Sequence, residues 1–194
     1  GNEKLKQLDK EFGFQAVVRQ FSPKYVVEHT KILYEKYKID YICLLDENQT
    51  ASPKHVHELC DLWIKEGLHK KIQLGTGGDA PSITKEIVKH MKEAGFSFIS
   101  IGGESGSDRI LKEDIGKGVT SAHNQEAVDI LKAGGISPVM TFMVGNPTEN
   151  IDQIPAMAGL ADRIDIMNPE IVEDYIKIAK KQGYEDQAQT RLST

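Results

Sequence analysis

The sequence predicts an α/β fold, a parallel sheet whose strands alternate with amphipathic helices. Three observations carry this expectation. Short apolar runs centred near Ile42, Gln73, Ile99, Thr141 and Ile166 are each followed by a helix-period segment, about one βα unit every 25 to 40 residues. Such alternation implies parallel strands joined by right-handed crossovers. Two helix starts carry the same signal, Ser22-Pro23 and Ser52-Pro53, a cap residue followed by proline at the first helical position. Strand ends are marked by glycine and carboxylate clusters rather than by hairpin turns.

The elements follow in order. Residues 1–20 are the least regular stretch, with Glu3 to Glu11 a candidate charged helix and Phe14 to Val18 a candidate abbreviated strand. The first clear helix runs from Ser22 to about Tyr37, because Tyr25, Val26, His29, Ile32, Leu33 and Lys36 recur at helical spacing. Ile39 to Leu45 is an apolar strand broken only by Asp40, and it ends at Asp46-Glu47-Asn48. A second helix places Val56, Leu59, Cys60, Trp63 and Ile64 on one face and stops at Gly67. Ile72 to Leu74 reads as a short strand running into a turn, Gly75-Thr76-Gly77-Gly78-Asp79.

Ser82 or Thr84 then caps a helix carrying Ile87, Val88, Met91 and Ala94 to Gly95. Phe96 to Ile101 is a buried strand, and Gly102-Gly103 reads as a sharp turn placing Glu104 and Ser105 past its carboxyl end. Ser107 and Asp108 are placed to cap a helix to Ile115, and another helix spans about Ser121 to Lys132. Pro138 to Val144 is an apolar strand ending in Gly145-Asn146-Pro147-Thr148-Glu149. A weaker helix from about Asn150, a strand at Arg163 to Met167 and a last helix after Asn168-Pro169 complete the pattern. No linker or low-complexity run divides the chain, so the expectation is a single domain over residues 1–194: an irregular 1–20, a βα core at 21–184 and a flexible tail at 185–194.

Composition narrows the function. With 39% hydrophobic and 27% charged residues, the 194-residue chain is ordinary for a globular domain. A net charge of −5 offers no basic stripe for nucleic acid. Apolar runs stay far below the ~20 residues that span a bilayer, and the charged start does not read as a signal peptide, so no membrane role and a cytoplasmic location are expected. The two cysteines, Cys43 in a strand and Cys60 on an apolar helix face, read as small core residues. His55 and His57 point to different helix faces and no histidine pair has zinc spacing, so no metal ligand set is assigned.

The functional signal lies in four successive strand ends, each carrying small and acidic residues: Asp46-Glu47-Asn48, Gly77-Gly78-Asp79, Gly103-Glu104-Ser105 and Gly145 to Glu149. Parallel strands put all four on one rim, the edge where ligands bind in α/β sheets. Carboxylates accept from ammonium and ribose hydroxyl groups, while glycine backbone N–H groups suit a carboxylate or a purine edge. A ligand with an amine, a ribose and a base fits that combination. The candidate binding residues are Asp46, Glu47, Asn48, Thr76, Glu104, Ser105, Gly145, Asn146, Thr148 and Glu149.

From Arg19 to about Tyr184 the sequence resembles the barrel of the radical S-adenosylmethionine superfamily, in the subgroup whose members often carry a cobalamin-binding domain before the barrel. The resemblance rests on Arg19-Gln20-Phe21-Ser22-Pro23, Leu45-Asp46-Glu47-Asn48, Ile101 to Asp108, Phe142 to Glu149 and Ile178 to Tyr184. It implies an incomplete TIM-type βα barrel of about five parallel strands. It also implies S-adenosylmethionine and a [4Fe-4S] cluster as cofactors. By resemblance, Asp46 and Glu47 hold the methionine amine, Glu104 and Ser105 face the ribose and methionyl part, and Gly145 to Glu149 form the adenine edge.

Two departures follow. The family's Cys-x-x-x-Cys-x-x-Cys loop belongs before Arg19, and residues 1–18 contain no cysteine. Gly78-Asp79-Ala80-Pro81 stands where relatives commonly have a Gly-Arg-x-Asp-like turn, so a partner for the methionine carboxylate is missing. The expectation is a core fragment or degenerate member lacking the first strand and inactive alone. Its open edges would be closed by residues 1–18 or by a second copy of the chain. Two alternatives stay open: a non-catalytic S-adenosyl or nucleoside-binding or assembly module, and a barrel hydrolase or lyase using Glu104 with Glu47 or Asp46 as acid and base.

Overall fold

In a computed structural model the described residues are Glu11, 20–46, 48–143 and 145–149. Helix α1 (Pro23–Tyr37) starts where Ser22 accepts the Tyr25 N–H at 3.2 Å, and it ends on Lys38 in the left-handed conformation. After β1 (Tyr41–Leu44), helix α2 (Pro53–Lys65) is capped by Ser52 and buries Val56, Leu59, Cys60 and Trp63. Strand β2 (Gln73–Gly78) leads through a short 3-10 turn, Ala80–Ser82, to α3 (Lys85–Glu93), which buries Ile87, Val88 and Met91. The cap is Thr84, whose hydroxyl accepts the Ile87 N–H, while Ser82 belongs to the turn before it. Strand β3 (Phe96–Glu104), helix α4 (Asp108–Glu113), helix α5 (Ser121–Ala133) and strand β4 (Ser137–Phe142) follow.

The four described strands form one open sheet in the order β1-β2-β3-β4, every neighbour parallel. This is the parallel βα architecture that the alternating pattern implies. The expected fifth strand at 163–167, the flanking helices at 150–183, most of the segment before Gln20 and the tail lie outside the described residues.

Pleating divides the sheet into two unlike faces. Leu74, Ile99, Ile101 and Met140 face the helices and join Leu59, Trp63, Met91, Val128 and Leu131 in a continuous core. Facing away are Tyr41 and Cys43, then Gly75 and Gly77, Phe98, Ser100 and Gly102, and Val139 and Thr141, as the register of neighbouring strands requires. Tyr41 and Phe98 stack at 6.2 Å across Gly75, where a Cβ would come within 2.2 Å of the Phe98 ring. The two rings close the strands' amino-terminal end of that face, and nearer the carboxyl ends the row is mostly small.

Three expectations are corrected here. The Gly75-Thr76-Gly77-Gly78 run is strand, not turn, because β3 pairs with all four residues and β1 with Gly75 and Thr76 from the other side. Gly102 and Gly103 likewise continue β3 up to Glu104. Cys43 is half-buried rather than part of the core, since alternation puts it on the face away from the helices.

Candidate functional site

All four signal clusters sit at the carboxyl ends of neighbouring parallel strands, and each end is held by its own local bonds. At the first, Asp46 is exposed past β1 and Glu47 lies outside the described residues. Asn48 is turned inward, its Oδ1 accepting from the Thr50 hydroxyl at 2.9 Å. That buried hydroxyl also receives the Asp79 N–H at 3.3 Å, so Thr50 ties the first strand end to the second. Thr76 lies in the core-facing row of β2, is buried, and donates to Leu44 O at 3.1 Å. Its hydroxyl holds β1 to β2.

The third end has the most distinctive geometry. Glu104 takes a φ of 62°, a left-handed conformation unusual for a residue with a side chain. Two buttresses hold the preceding backbone from different elements. Lys117, in the loop after α4, donates to Gly102 O and lies 3.5 Å from Glu104 Oε1. Asn124 on α5 is fully buried and donates from Nδ2 to Gly103 O at 3.0 Å. The β3–β4 register shifts between Gly102 and Glu104, as a bulge here requires. Glycine at 102 leaves room for this pair, because a Cβ there would stand 2.5 Å from Glu104 Oε1 and 3.1 Å from Lys117 Nζ and displace the ends of both side chains. Glu104 and Lys117 are each about a quarter exposed, 24% and 25%. Ser105 is buried; its N–H bonds Gly103 O at 2.8 Å and its hydroxyl accepts from Ser107 N at 3.1 Å, which closes the turn.

The fourth end is a self-bonded turn. Glu149 Oε2 accepts from Gly145 N at 2.7 Å and Asn146 N at 3.2 Å, while Asn146 Nδ2 is a buried donor with no partner among the described residues. Thr148 latches this turn to α4: its carbonyl accepts from Arg109 at 2.7 Å, and its N–H and hydroxyl reach Asp114 at 3.0 and 2.8 Å. The Thr148 N–H, with its hydroxyl and the charge of Arg109, holds the Asp114 carboxyl below its ordinary range.

Sequence reasoning missed Lys117, Asn124 and Thr50. Asn124 left a trace, a polar residue in the apolar register of Ala127, Val128 and Leu131 on α5. Lys117 left none. Among the described residues no group of three or more His, Cys, Asp or Glu side chains is placed to hold a metal. A groove of 590 Å³ lined by Asp40, Tyr41 and residues 69–73 lies at the opposite, amino-terminal ends of β1 and β2. Ligand chemistry in a parallel sheet belongs to the carboxyl ends, so the rim is the stronger candidate despite that groove.

The fold and rim define a parallel βα protein with a candidate ligand site at its strand ends. The chain belongs to the radical S-adenosylmethionine superfamily, whose sequence signature spans residues 10–161. It is 32% identical over 148 residues to an uncharacterised methyltransferase of Pyrococcus horikoshii, covering 76% of this chain and 32% of that protein. It is also 32% identical over 130 residues to the anaerobic magnesium-protoporphyrin IX monomethyl ester cyclase of Cereibacter sphaeroides, covering 66% of this chain and 21% of that protein. The chain thus spans a third or less of these relatives. Among solved structures it superposes on the radical S-adenosylmethionine methyltransferase TsrM from Kitasatospora setae with TM-score 0.67 at 16% identity, over 75% of this chain and 29% of that one. It superposes on the cobalamin-dependent S-adenosylmethionine radical enzyme OxsB with TM-score 0.67 at 21% identity, over 87% and 27%. The neighbours are TIM-type barrels of this family, of which the described sheet is an open part.

The family implies S-adenosylmethionine and a [4Fe-4S] cluster, and the residues present fit the two unequally. The rim offers a carboxylate, an ammonium and an amide donor with no partner among the described residues, beside a face of small residues, a set that fits the cofactor's amine, carboxylate, ribose and base. The cluster does not fit. Its ligands are thiolates, and the chain's two cysteines are divided between the core side of α2 and the far face of the sheet.

Proposed function

We propose that this chain is the S-adenosylmethionine-binding core of a radical S-adenosylmethionine enzyme of the methyltransferase or cyclase kind, and that alone it binds the cofactor without cleaving it. The observation that carries the reading is the Glu104–Lys117 pair, held at 3.5 Å by a left-handed backbone and two buttressed carbonyls at the rim. Glu104 is the acceptor for the cofactor's ribose hydroxyls or amine. Lys117 supplies the positive partner for the methionyl carboxylate that Asp79, being of the wrong sign, cannot provide. Asp46 faces the amine, and the Gly145 to Glu149 turn, with the Asn146 amide, faces the base.

When bound, the cofactor supplies an electrophilic sulfonium. Its reductive cleavage requires an electron from a cluster that two separated cysteines do not hold, so no step beyond binding is assigned to this chain. The open edge of β1 among the described residues is where another segment or a second copy would complete the sheet.

Calorimetric titration with S-adenosylmethionine and S-adenosylhomocysteine tests the reading. Saturable binding of one ligand per chain, weakened about tenfold in Lys117→Met, is expected, the loss of one charged hydrogen bond being worth about 1.5 kcal/mol. Absence of heat and of thermal shift at millimolar ligand would sink it. Anaerobic iron–sulfide reconstitution should leave the chain without a stoichiometric cluster spectrum, and a full spectrum would overturn the assignment of inactivity. The hydrolase or lyase alternative is less favoured because the one described carboxylate partner it needs, Asp46, is exposed, whereas Glu104 is already engaged with a lysine.

A further inference from the structure

We propose that His57 and His90 form a two-histidine site for a divalent transition metal such as Zn2+ or Cu2+, on the outer helix layer and apart from the strand rim. His57 projects from α2 and His90 from α3, residues 33 apart in sequence, so no local spacing announces the pair. Their rings lie 4.9 Å apart between centroids, and the two Nδ1 atoms converge to 2.6 Å. The opposite ring nitrogens each face a carboxylate: His90 Nε2 lies 3.0 Å from Asp61 Oδ1, and His57 Nε2 lies 3.8 Å from Glu86 Oε1. For His90 that is the outer arrangement metal-binding histidines adopt, one nitrogen free for the cation and the other at hydrogen-bond distance from a carboxylate that fixes the tautomer and raises ligand basicity, whereas Glu86 stands beyond hydrogen-bond distance of His57.

In the tautomer that places hydrogen on both Nε2 atoms, each Nδ1 presents a lone pair to the space between the rings, where a cation can accept both. The rings are reachable, with side chains 30% and 20% exposed. Zinc–nitrogen bonds of about 2.1 Å at a tetrahedral angle set the nitrogens about 3.4 Å apart. Rotation of two partly exposed side chains supplies the opening from 2.6 Å. Because no third His, Cys, Asp or Glu converges here among the described residues, water completes the shell. Imidazole pairs of this kind favour copper, nickel and zinc over magnesium or calcium. A bound cation would clip α2 to α3, the two helices that bracket β2 in the chain.

The test is calorimetric titration of the chain with ZnCl2, together with the paramagnetic resonance spectrum of the Cu2+ form. One metal per chain is expected, with a copper spectrum showing coupling to two imidazole nitrogens. His57→Gln and His90→Gln should each weaken binding at least about tenfold, leave a single coupled nitrogen, and abolish the rise in thermal midpoint that Zn2+ gives the parent chain. Asp61→Asn should weaken binding by about tenfold while keeping both nitrogens. Unfolding of each variant without metal checks that the fold is kept. Binding that persists unchanged in the double variant, or a parent chain that takes up no Zn2+ at millimolar metal, overturns the proposal.

Discussion

The two faces of the sheet are specified in opposite ways. On the helix side, Ile99, Ile101, Leu74, Trp63 and Met91 are almost completely buried and touch one another across several elements, so each position is supported by many neighbours. On the other side, small residues lead to a rim whose shape depends on single hydrogen bonds, such as those of Lys117 to Gly102, Asn124 to Gly103 and Thr50 to Asn48. Stability is therefore expected to concentrate in the first face and ligand recognition in the second.

That division can be broken in graded steps. The largest effect is expected for Trp63→Ala, which empties a fully buried site and should cost about 3–5 kcal/mol in chemical denaturation. Alkaline titration comes next. Burial, helped by the charges of Asp61 and Glu93, pushes the Cys60 thiol up to about 12. The folded state then keeps its proton where the unfolded chain has released it. Stability should be undiminished below the ordinary thiol range near 9 and fall above it by about 1.4 kcal/mol per pH unit, to a total of up to about 4 kcal/mol. Cys60→Ala should flatten that slope in denaturant melts.

On the rim, Gly102→Ala should be felt in ligand affinity more than in folding, because the new methyl group meets the Glu104 carboxylate and the Lys117 ammonium rather than backbone. Cofactor binding is expected to weaken about tenfold, about 1.4 kcal/mol, with a stability change within about 0.5 kcal/mol, measured by calorimetry and denaturation together. Comparable losses in both would place Gly102 in the core's regime and erase the distinction. The smallest effect is expected for Asp114→Asn at the exposed latch on Thr148. Since the Asp114 pKa is lowered on folding, its contribution is complete above the ordinary carboxylate range and lost as pH falls through the lowered value. The variant should match the parent at low pH and differ from it only at higher pH.

The same contrast explains what the sequence revealed. Helices α1 and α2 were legible because their caps, Ser22-Pro23 and Ser52-Pro53, and their apolar spacing are local signals. The glycine-rich half of β2 was not, because nothing within the run distinguishes strand from turn; its neighbours on both sides make it a strand. The order of strand ends placed Asp46, Asp79, Glu104 and Glu149 on one edge correctly, since parallel topology fixes that edge. It did not show which side chains are spent locally, as Asn48, Thr76, Ser105 and Thr148 are, nor that Lys117 would reach back to Glu104 across 13 residues. Those depend on loop conformation, for which residue order carries little information.

The central claim is that S-adenosylmethionine is held at the carboxyl ends of the strands. Amide hydrogen exchange with and without the cofactor tests it most directly. Slowed exchange in peptides covering 46–48, 77–79, 103–105 and 145–149, with Tyr41 and 69–73 unchanged, is the predicted result. Protection confined to the groove formed by Tyr41 and 69–73, at the other end of the sheet, would contradict it.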